Sequence, residues 1–131
     1  MEPSFEESLT KAQAAPIDGW DFSWLAGRAT EERPSWRYAE IVGKRATCAT
    51  GMLDLQTGGG EMLARLPHLP SLLVATESYA PNVARASRRL GARGASVVVT
   101  RDDRLPFPDD AFDLVTSRHP VATWWEEVHA F

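Results

Sequence analysis

Short runs of apolar residues, each bounded by glycine, proline or charged residues, recur along the chain from residue 49 onward. Their length and their content of branched and aromatic side chains predict β-strands. The predicted strands cover residues 52–55, 72–76, 95–100 and 112–117. The third contains Val97, Val98 and Val99 without interruption, which is typical of a strand covered on both faces. The pattern therefore predicts a parallel sheet between layers of helices.

Around these runs, apolar residues recur at intervals of three and four positions, which predicts helices. The predicted helices cover residues 35–47, 60–66, 81–91 and 121–131. The first should pack on the sheet through Trp36, Ala39, Val42, Ala46 and Ala49. The last should do so through Trp124, Trp125 and Val128. The alternation of strand and helix suits parallel strands joined by right-handed crossovers, so we expect an α/β fold with a parallel sheet.

The first predicted strand runs into three glycines, Gly58, Gly59 and Gly60, directly before the helix at 60–66. Glycine permits positive φ angles and lets a ligand approach the backbone closely. A helix that begins at such a turn points free N–H groups at whatever lies above the strand. This arrangement predicts a cofactor site.

An acidic residue, Glu77, ends the second predicted strand nineteen positions after Gly58. In nucleotide-binding βαβ units, a carboxylate at this distance accepts hydrogen bonds from ribose hydroxyls. A dinucleotide fingerprint would place a third glycine three positions after Gly60, where this chain has Leu63. The spacing therefore suits a cofactor with a ribose group and weakens the interpretation as a nicotinamide or flavin dinucleotide site.

Two segments resemble motifs of the class I, Rossmann-like, S-adenosylmethionine-dependent methyltransferases. The stretch Asp54–Gly60 is similar to the family motif acidic-x-Gly-x-Gly-x-Gly, with Gln56 in place of the first glycine. The stretch Leu105–Val115 resembles the family signature LPF-x-D-x-x-F-D-x-V, which leads into the fourth strand. The resemblance implies that the chain is an S-adenosylmethionine-dependent methyltransferase whose strands lie in the order 3-2-1-4.

The resemblance also implies a set of cofactor-binding residues. Glu77 would accept the ribose hydroxyls, and either Asp102 or Asp103 would accept the adenine amino group, unless both are solvated loop carboxylates. Asp54 would organise the glycine loop or meet the cofactor amino group through water, and the Gln56 side chain should point away from the ligand. The full implied set is Asp54, Thr57, Gly58, Gly59, Gly60, Glu77, Ser78, Asp102, Asp103 and Ser117.

Three histidines are candidates for other chemistry. His119 follows the fourth predicted strand and could act as a base or orient a methyl acceptor, although packing or capping is the commoner role for such a residue. His68 and His129 have no cysteine or carboxylate partners at metal-ligand spacing. We therefore expect no metal site.

The region before the glycine turn, residues 1–48, is a helical and aromatic segment preceding the core at 49–131, and together they form one domain. Residues 1–16 predict a frayed helix or a disordered arm. Trp20, Phe22, Trp24 and Trp36 then crowd into a short stretch. These aromatics should either cover an open end of the sheet's core or, with Arg28, line the mouth of the cofactor pocket.

Composition narrows the class of protein. The apolar share of 44% and the charged share of 24% are those of an ordinary globular domain, and the net charge of −4 argues against nucleic-acid binding. Six arginines between 85 and 104 form a local basic cluster, which we interpret as a solvated helix face and loop. A single cysteine, an acidic N-terminus and the lack of any long apolar run predict a cytoplasmic protein without a membrane segment.

Complete members of the resembling family carry seven strands, and the resemblance here covers the cofactor half of that fold. The fourth strand would then be an open edge, which favours a homodimer formed through that edge or through the C-terminal helix. The alternative is that the chain is a truncated product of a longer protein. Two functions follow: a methyltransferase acting on a small-molecule acceptor, or a non-catalytic module that binds the cofactor or an adenosine compound, or only dimerises.

Overall fold

The structure is a computed structural model that describes residues 2–17 and 22–131. Its centre is one sheet of four parallel strands, in the order β3-β2-β1-β4. The strands are β1 (Gly51–Leu55), β2 (Leu72–Glu77), β3 (Ser96–Val99) and β4 (Leu114–Ser117). The predicted fold class, strand number and strand order are confirmed.

The register of the sheet aligns the carboxyl ends of its strands. Asp54 on β1 pairs with Ala75 on β2 and with Thr116 on β4. On the far side of β2, Glu77 pairs with Val99. Residues that follow the strands are therefore brought to one edge, as in other open α/β sheets.

The described residues form five α-helices: α1 (Phe5–Gln13), α2 (Tyr38–Cys48), α3 (Glu61–Ala64), α4 (Ala80–Gly91) and α5 (Trp125–Val128). Helix α1 begins with a capping box, in which the Ser4 hydroxyl accepts from the Glu7 amide and the Glu7 carboxylate accepts from the Ser4 amide. All of its residues are exposed. Within the described part of the chain, none of the helices is long and apolar enough to cross a membrane.

The core lies on both faces of the sheet, because neighbouring residues of a strand point to opposite sides. On one face Met52 packs with side chains from α2, α3 and α4, including Val42, Leu63 and Leu90. On the other face the buried residues are Leu53, Leu55, Val74 and Leu105, with Phe107, Phe112, Val128 and Phe131 packed against them. The α/β layering therefore holds even though β3 and β4 are only partly buried.

Three predicted helices are shorter in the structure. Helix α2 begins at Tyr38 because the residue before it, Arg37, has a left-handed φ of 47°, which is incompatible with an α-helical turn. Val42 and Ala46 are buried as predicted, whereas Trp36 and Ala39 are exposed. Helix α3 ends at Ala64, two residues before the predicted boundary.

The helix predicted over 121–131 forms only at Trp125–Val128. Its first residues are held in another conformation, because the Val121 amide and the Ala122 carbonyl bond to a distant side chain, Gln56. The predicted apolar stripe is also wrong in part, since Trp124 and Trp125 are exposed and Val128 alone packs against the core.

The described aromatic residues that were predicted to cover the core, Phe22, Trp24 and Trp36, belong to neither core cluster. Phe22 and Trp36 are more than half exposed, and Trp24 lies under the Arg28 guanidinium at 5.0 Å. Trp36 makes an edge contact with the ring of Tyr38. The prediction for Trp20 lies outside the described residues. Since this segment has no helix or strand period, nothing directs these side chains toward the sheet.

Candidate functional site at the carboxyl edge of the sheet

The glycine turn after β1 closes tightly against β2. The Thr57 amide donates to the Thr76 carbonyl at 2.9 Å, and the Gly60 amide reaches back to the Thr57 carbonyl at 3.4 Å. Gly58 and Gly60 have φ angles of 69° and 77°, which branched residues rarely adopt. A Cβ at Gly60 would also lie 3.0 Å from the Leu90 side chain, so a larger residue there would require Leu90 to shift as well as a strained backbone.

Glu77 fixes the turn from the neighbouring strand. One carboxylate oxygen, Oε2, accepts from the Gly58 amide at 2.8 Å. The other, Oε1, accepts from the amides of Ser78 and Tyr79 at 2.9 and 3.1 Å. The carboxylate is buried, and Oε2 keeps a lone pair beyond its bond to Gly58. Glu77 therefore both shapes the loop and presents an acceptor at the edge of the sheet.

Asp54 is the most buried carboxyl group of this edge. Burial raises its pKa to about 6, and the hydrogen bond from Thr116 and the proximity of the Thr57 hydroxyl oppose that rise. The Thr116 hydroxyl donates to Asp54 Oδ1 at 2.5 Å. The Thr57 hydroxyl is close to the carboxyl group but does not form a hydrogen bond of regular geometry.

Tyr38 and Arg118 complete the surroundings of Asp54. Burial, and after it the negative charge of Asp54, raises the pKa of Tyr38 to about 12, while the Arg118 cation acts in the opposite sense. The Arg118 guanidinium lies 5.7 Å from the centre of the Tyr38 ring. Tyr38, Thr116 and Arg118 belong to no motif that would mark them in the sequence. A polar residue inside an apolar strand, as at Thr116, was the one available signal.

The structure distinguishes the two candidate aspartates after β3. The Asp102 carboxylate faces the cleft, where Ser78 Oγ lies 3.5 Å from its Oδ2. Burial, followed by the charge of Glu77, raises the pKa of Asp102. Asp103 instead makes a two-point ion pair with Arg101, at 2.9 and 2.7 Å, whose hydrogen bonds lower the pKa of Asp103. Asp102 is thus brought together with Glu77, and Asp103 is not.

Gln56, which stands at the first glycine position of the motif, has a left-handed φ of 52°. Its side-chain oxygen accepts from the Val121 amide at 2.9 Å, and its side-chain nitrogen donates to the Ala122 carbonyl at 3.1 Å. The side chain is therefore fully engaged with the segment after β4. This contact ties that segment across the end of β1.

A small cleft lies at the carboxyl edge between β1, β2 and β4. Its lining includes Thr76, Asp102 and Ser117 from the sheet side, and Ala122, Trp124 and Val128 from the C-terminal segment. The enclosed volume is about 10 Å³, which is roughly the space of one water molecule. His119 is exposed and lies outside the lining residues.

Three buried polar atoms at this edge have no hydrogen-bond partner of regular geometry within the described residues: Tyr38 Oη, Thr57 Oγ1 and Asp102 Oδ1. Buried polar atoms in native proteins are almost always paired with protein or ligand groups, or with water. Together with Glu77, these atoms would suit a ligand with several hydroxyl and amino groups. The residues therefore fit an adenosyl cofactor, once the C-terminal segment makes room for it.

No constellation of three or more histidine, cysteine or acidic residues in the described part of the chain is arranged to hold a metal ion.

A parallel sheet in this order, with a glycine turn after β1 and a carboxylate at the tip of β2, defines a Rossmann-like nucleotide-cofactor domain. The model of a methyltransferase domain family matches residues 53–131, more than half of the chain. The chain therefore belongs to the methyltransferase domain family.

Solved structures share this fold. The YcgJ protein from Bacillus subtilis is 25% identical with a TM-score of 0.52, over 61% of this chain and 36% of its own. A proposed S-adenosyl-L-methionine-dependent methyltransferase from Methanococcus maripaludis is 21% identical with a TM-score of 0.58, over 70% of this chain and 48% of its own. A SAM-dependent methyltransferase from Aquifex aeolicus is 19% identical with a TM-score of 0.55, over 82% of this chain and 65% of its own.

The chain thus spans between about a third and two thirds of the length of these solved structures. A search of curated proteins gave no match.

Proposed function

We propose that the chain binds S-adenosylmethionine at the carboxyl edge of its sheet and serves methyl transfer to a small-molecule acceptor. The observation that carries this proposal is the set of buried, unpaired polar atoms beside the glycine turn. Membership of the methyltransferase domain family supports the same function. When bound, this cofactor supplies an electrophilic methyl group on a sulfonium sulfur.

Three carboxyl groups of the chain have distinct roles in this proposal. Glu77 accepts hydrogen bonds from the ribose hydroxyls with the lone pairs of its carboxylate that the backbone amides do not occupy. Asp102 accepts the adenine amino group with the unpaired Oδ1. Asp54 faces the amino-acid end of the cofactor, with Tyr38 and Thr116 beside it. The positive charge of the sulfonium group would lower the pKa of any carboxyl group near it.

Cofactor binding must displace part of the C-terminal segment. The cleft holds about 10 Å³, far less than an adenosyl group needs, and Ala122, Trp124 and Val128 form one of its walls. Trp124 is already about half exposed, so its withdrawal would break few contacts. We therefore expect binding to increase amide exchange around residues 122–128 while it protects the glycine turn.

Calorimetric titration with S-adenosylmethionine and S-adenosylhomocysteine tests the proposal. Glu77→Gln should raise the Kd at least ~10-fold, because the neutral amide accepts hydroxyl hydrogen bonds more weakly and leaves donors unmatched. Asp102→Asn, at a half-exposed position, gives the same test with less risk to folding. Glu31→Gln, an exposed change far along the chain, is the matched control and should bind as the parent does.

A wild-type chain that binds neither compound at saturating concentrations would overturn the proposal.

A second candidate function is a cofactor-binding module without catalysis. The observation that favours it is the C-terminal segment lying where the cofactor would enter. Transfer of a labelled methyl group to any member of a small-molecule acceptor panel would establish the enzyme. Cofactor binding without transfer to any acceptor would favour the module.

We also propose that the protein acts in the cytoplasm and does not bind nucleic acid.

We further propose that two copies associate through the outer edge of β4. A groove of about 490 Å³ runs beside this edge between Ile41, Arg45 and Leu114, and no strand within the described residues pairs with β4 on that side. Light scattering at rising concentration should show a dimer, and Ile41→Lys should weaken it. Ile17→Lys, an exposed change outside the groove, should not. A monomer at all concentrations would contradict the association.

A further inference from the structure

Helix α3 is too short to hold its own position. It has four residues, Glu61–Ala64, and its N-cap is Gly60, which has no side chain to bond the free amides. A single helical turn is unstable alone, because nucleation costs more than one turn of hydrogen bonds returns. The glycine turn leads directly into α3, so contacts with the rest of the molecule must fix both.

Arg89, on α4, makes such a contact with the turn. Its Nη1 donates to the Gly59 carbonyl at 2.8 Å and to Glu61 Oε1 at 3.0 Å. The side chain of Glu61 is 17% exposed and that of Arg89 is 40% exposed, so the pair is partly shielded from solvent. A Cβ on Gly59 would clash with the Glu61 carboxylate and lie 2.9 Å from Arg89 Nη1. A side chain at the middle glycine would therefore require the Arg89–Glu61 pair to shift.

Arg93, just beyond α4, holds the opposite end of α3. Its Nη1 donates to the carbonyls of Ala64 and Leu66 at 3.0 and 2.5 Å, and lies 3.4 Å from that of Leu63. The Leu63 carbonyl also accepts from the Leu66 amide at 3.1 Å. The last carbonyls of a helix lack donors from the helix itself, so Arg93 supplies hydrogen bonds there, and its positive charge suits the helix dipole. Arg89 and Arg93 are exposed, as a solvated face predicts, but their guanidinium groups also bond the glycine turn and α3.

The contact of Arg89 sets the direction of a peptide group in the turn. In a trans peptide the C=O and the following N–H point in opposite directions. Fixing the Gly59 carbonyl toward α4 therefore turns the Gly60 N–H inward, where it closes the turn on the Thr57 carbonyl. On the other side, Glu77 holds the Gly58 amide. The turn is thus held from β2 by an acid and from α4 by a base.

We propose that Arg89 is a positioning residue for cofactor binding, acting through the Gly59 carbonyl and the Glu61 carboxylate. This inference rests on the proposed function. Arg89 lies outside the residues that line the cleft, so its effect on a ligand is carried by the shape of the turn. Arg93 stabilises α3 at the end farther from the turn and serves as the matched comparison.

The test compares Arg89→Gln, Arg89→Lys, Arg93→Gln and Arg88→Gln. Arg88 is exposed on the same helix, and its replacement is the control for lost charge. Three quantities are measured: the Kd for S-adenosylhomocysteine by calorimetry, the Tm without ligand, and the amide exchange of the glycine turn without ligand. Arg89→Gln should raise the Kd about tenfold and speed exchange at Gly60 by a similar factor. Arg89→Lys should recover part of both, since lysine can still donate to the Gly59 carbonyl.

Arg93→Gln should lower the Tm as much as Arg89→Gln does, while its Kd stays within about twofold of the parent. Equal Kd values for Arg89→Gln and Arg93→Gln would overturn the inference, because Arg89 would then be a stability residue only. A parent chain that binds no adenosyl compound would sink the proposed function instead. If the parent binds no such compound, amide exchange at Gly60 still tests the role of Arg89. Unchanged exchange in Arg89→Gln would contradict the positioning role as well, whereas faster exchange would show that Arg89 orders the turn without acting on a ligand.

Discussion

At the carboxyl end of the sheet the Asp54 carboxyl group is buried, and burial raises its pKa to about 6. At the amino end, Asp113 is exposed and accepts from the Thr50 amide and hydroxyl and from the Gly51 amide. These hydrogen bonds, the backbone ones first, lower the pKa of Asp113. One residue type thus has opposite electrostatic consequences at the two ends of β1 and β4.

The two aspartates make opposite contributions to the stability of the domain. The Asp113 carboxylate joins the start of β4 to the start of β1 and fixes the register of these two strands. Because water also solvates this carboxylate, its charge has little cost in folding free energy. Burial of Asp54 disfavours its charged form, so ionisation of this carboxyl group opposes folding. A costly buried carboxyl group at the ligand edge is typical of a functional site rather than of a structural one.

Breaking the amino end should have the largest effect on stability. Asp113→Ala removes the acceptor for the Thr50 and Gly51 amides, so the two strands lose their common start, and the Tm should fall by several degrees. The Kd for S-adenosylhomocysteine should stay unchanged for the molecules that remain folded. Differential scanning calorimetry and titration measure the two quantities. Asp109→Ala, an exposed change in the same segment, should leave both unaltered.

If Asp113→Ala clearly raised the Kd as well as lowering the Tm, the amino end of the sheet would contribute to binding, and the contrast between the two ends would be wrong.

Asp54→Asn should have the opposite signature at pH 7.5. The amide keeps an oxygen that can accept from Thr116 but carries no buried charge, so the Tm should rise by a few degrees. Binding of S-adenosylmethionine should weaken about tenfold, because the charge facing the cofactor amino group is lost. A variant that is both less stable and equally able to bind would show that Asp54 is structural.

The gain from Asp54→Asn should depend on pH in a defined direction. The pKa of Asp54 in the folded chain, about 6, is above its ordinary value of 3.8, so the folded state holds the proton more tightly. The destabilisation is therefore absent below about pH 4, grows as the pH rises through 6, and is complete above it. Its size is on the order of 3 kcal/mol. Urea unfolding of parent and variant from pH 4 to 8 should show their difference widening with pH, whereas a constant difference would contradict the assignment.

The smallest effect is expected at Gln56, where two consequences oppose each other. Gln56→Gly relieves the strain of a left-handed φ in a residue with a side chain, but releases the bonds to Val121 and Ala122. The Tm should change by only a degree or two in either direction, while exchange of the Val121 amide should accelerate at least ~10-fold. Gln56→Ala, which keeps the strain and loses the bonds, should be the less stable of the two. An unaltered Val121 amide would show that Gln56 does not hold this segment.

Local pattern was sufficient for the sheet and for the turn. Apolar runs bounded by turn residues located all four strands, and three glycines followed by Glu77 located the loop that the Glu77 carboxylate holds. These features depend on neighbouring residues and on the strand and helix periods, both of which are written directly in the order of the amino acids. The family motifs then supplied the strand order and the choice of cofactor.

Partners that are distant in the chain were decided by the tertiary structure. Adjacent aspartates, Asp102 and Asp103, have the same composition around them, and only the fold turns one to the cleft and the other to Arg101. The arginines that hold α3 come from residues 27 to 30 positions further along the chain, and the bonds of Gln56 span 65 and 66 positions. Such contacts depend on how strands register and helices pack, and no local period encodes them. The scaffold is therefore encoded in local sequence, whereas packing sets which side chains meet at the carboxyl edge of the sheet.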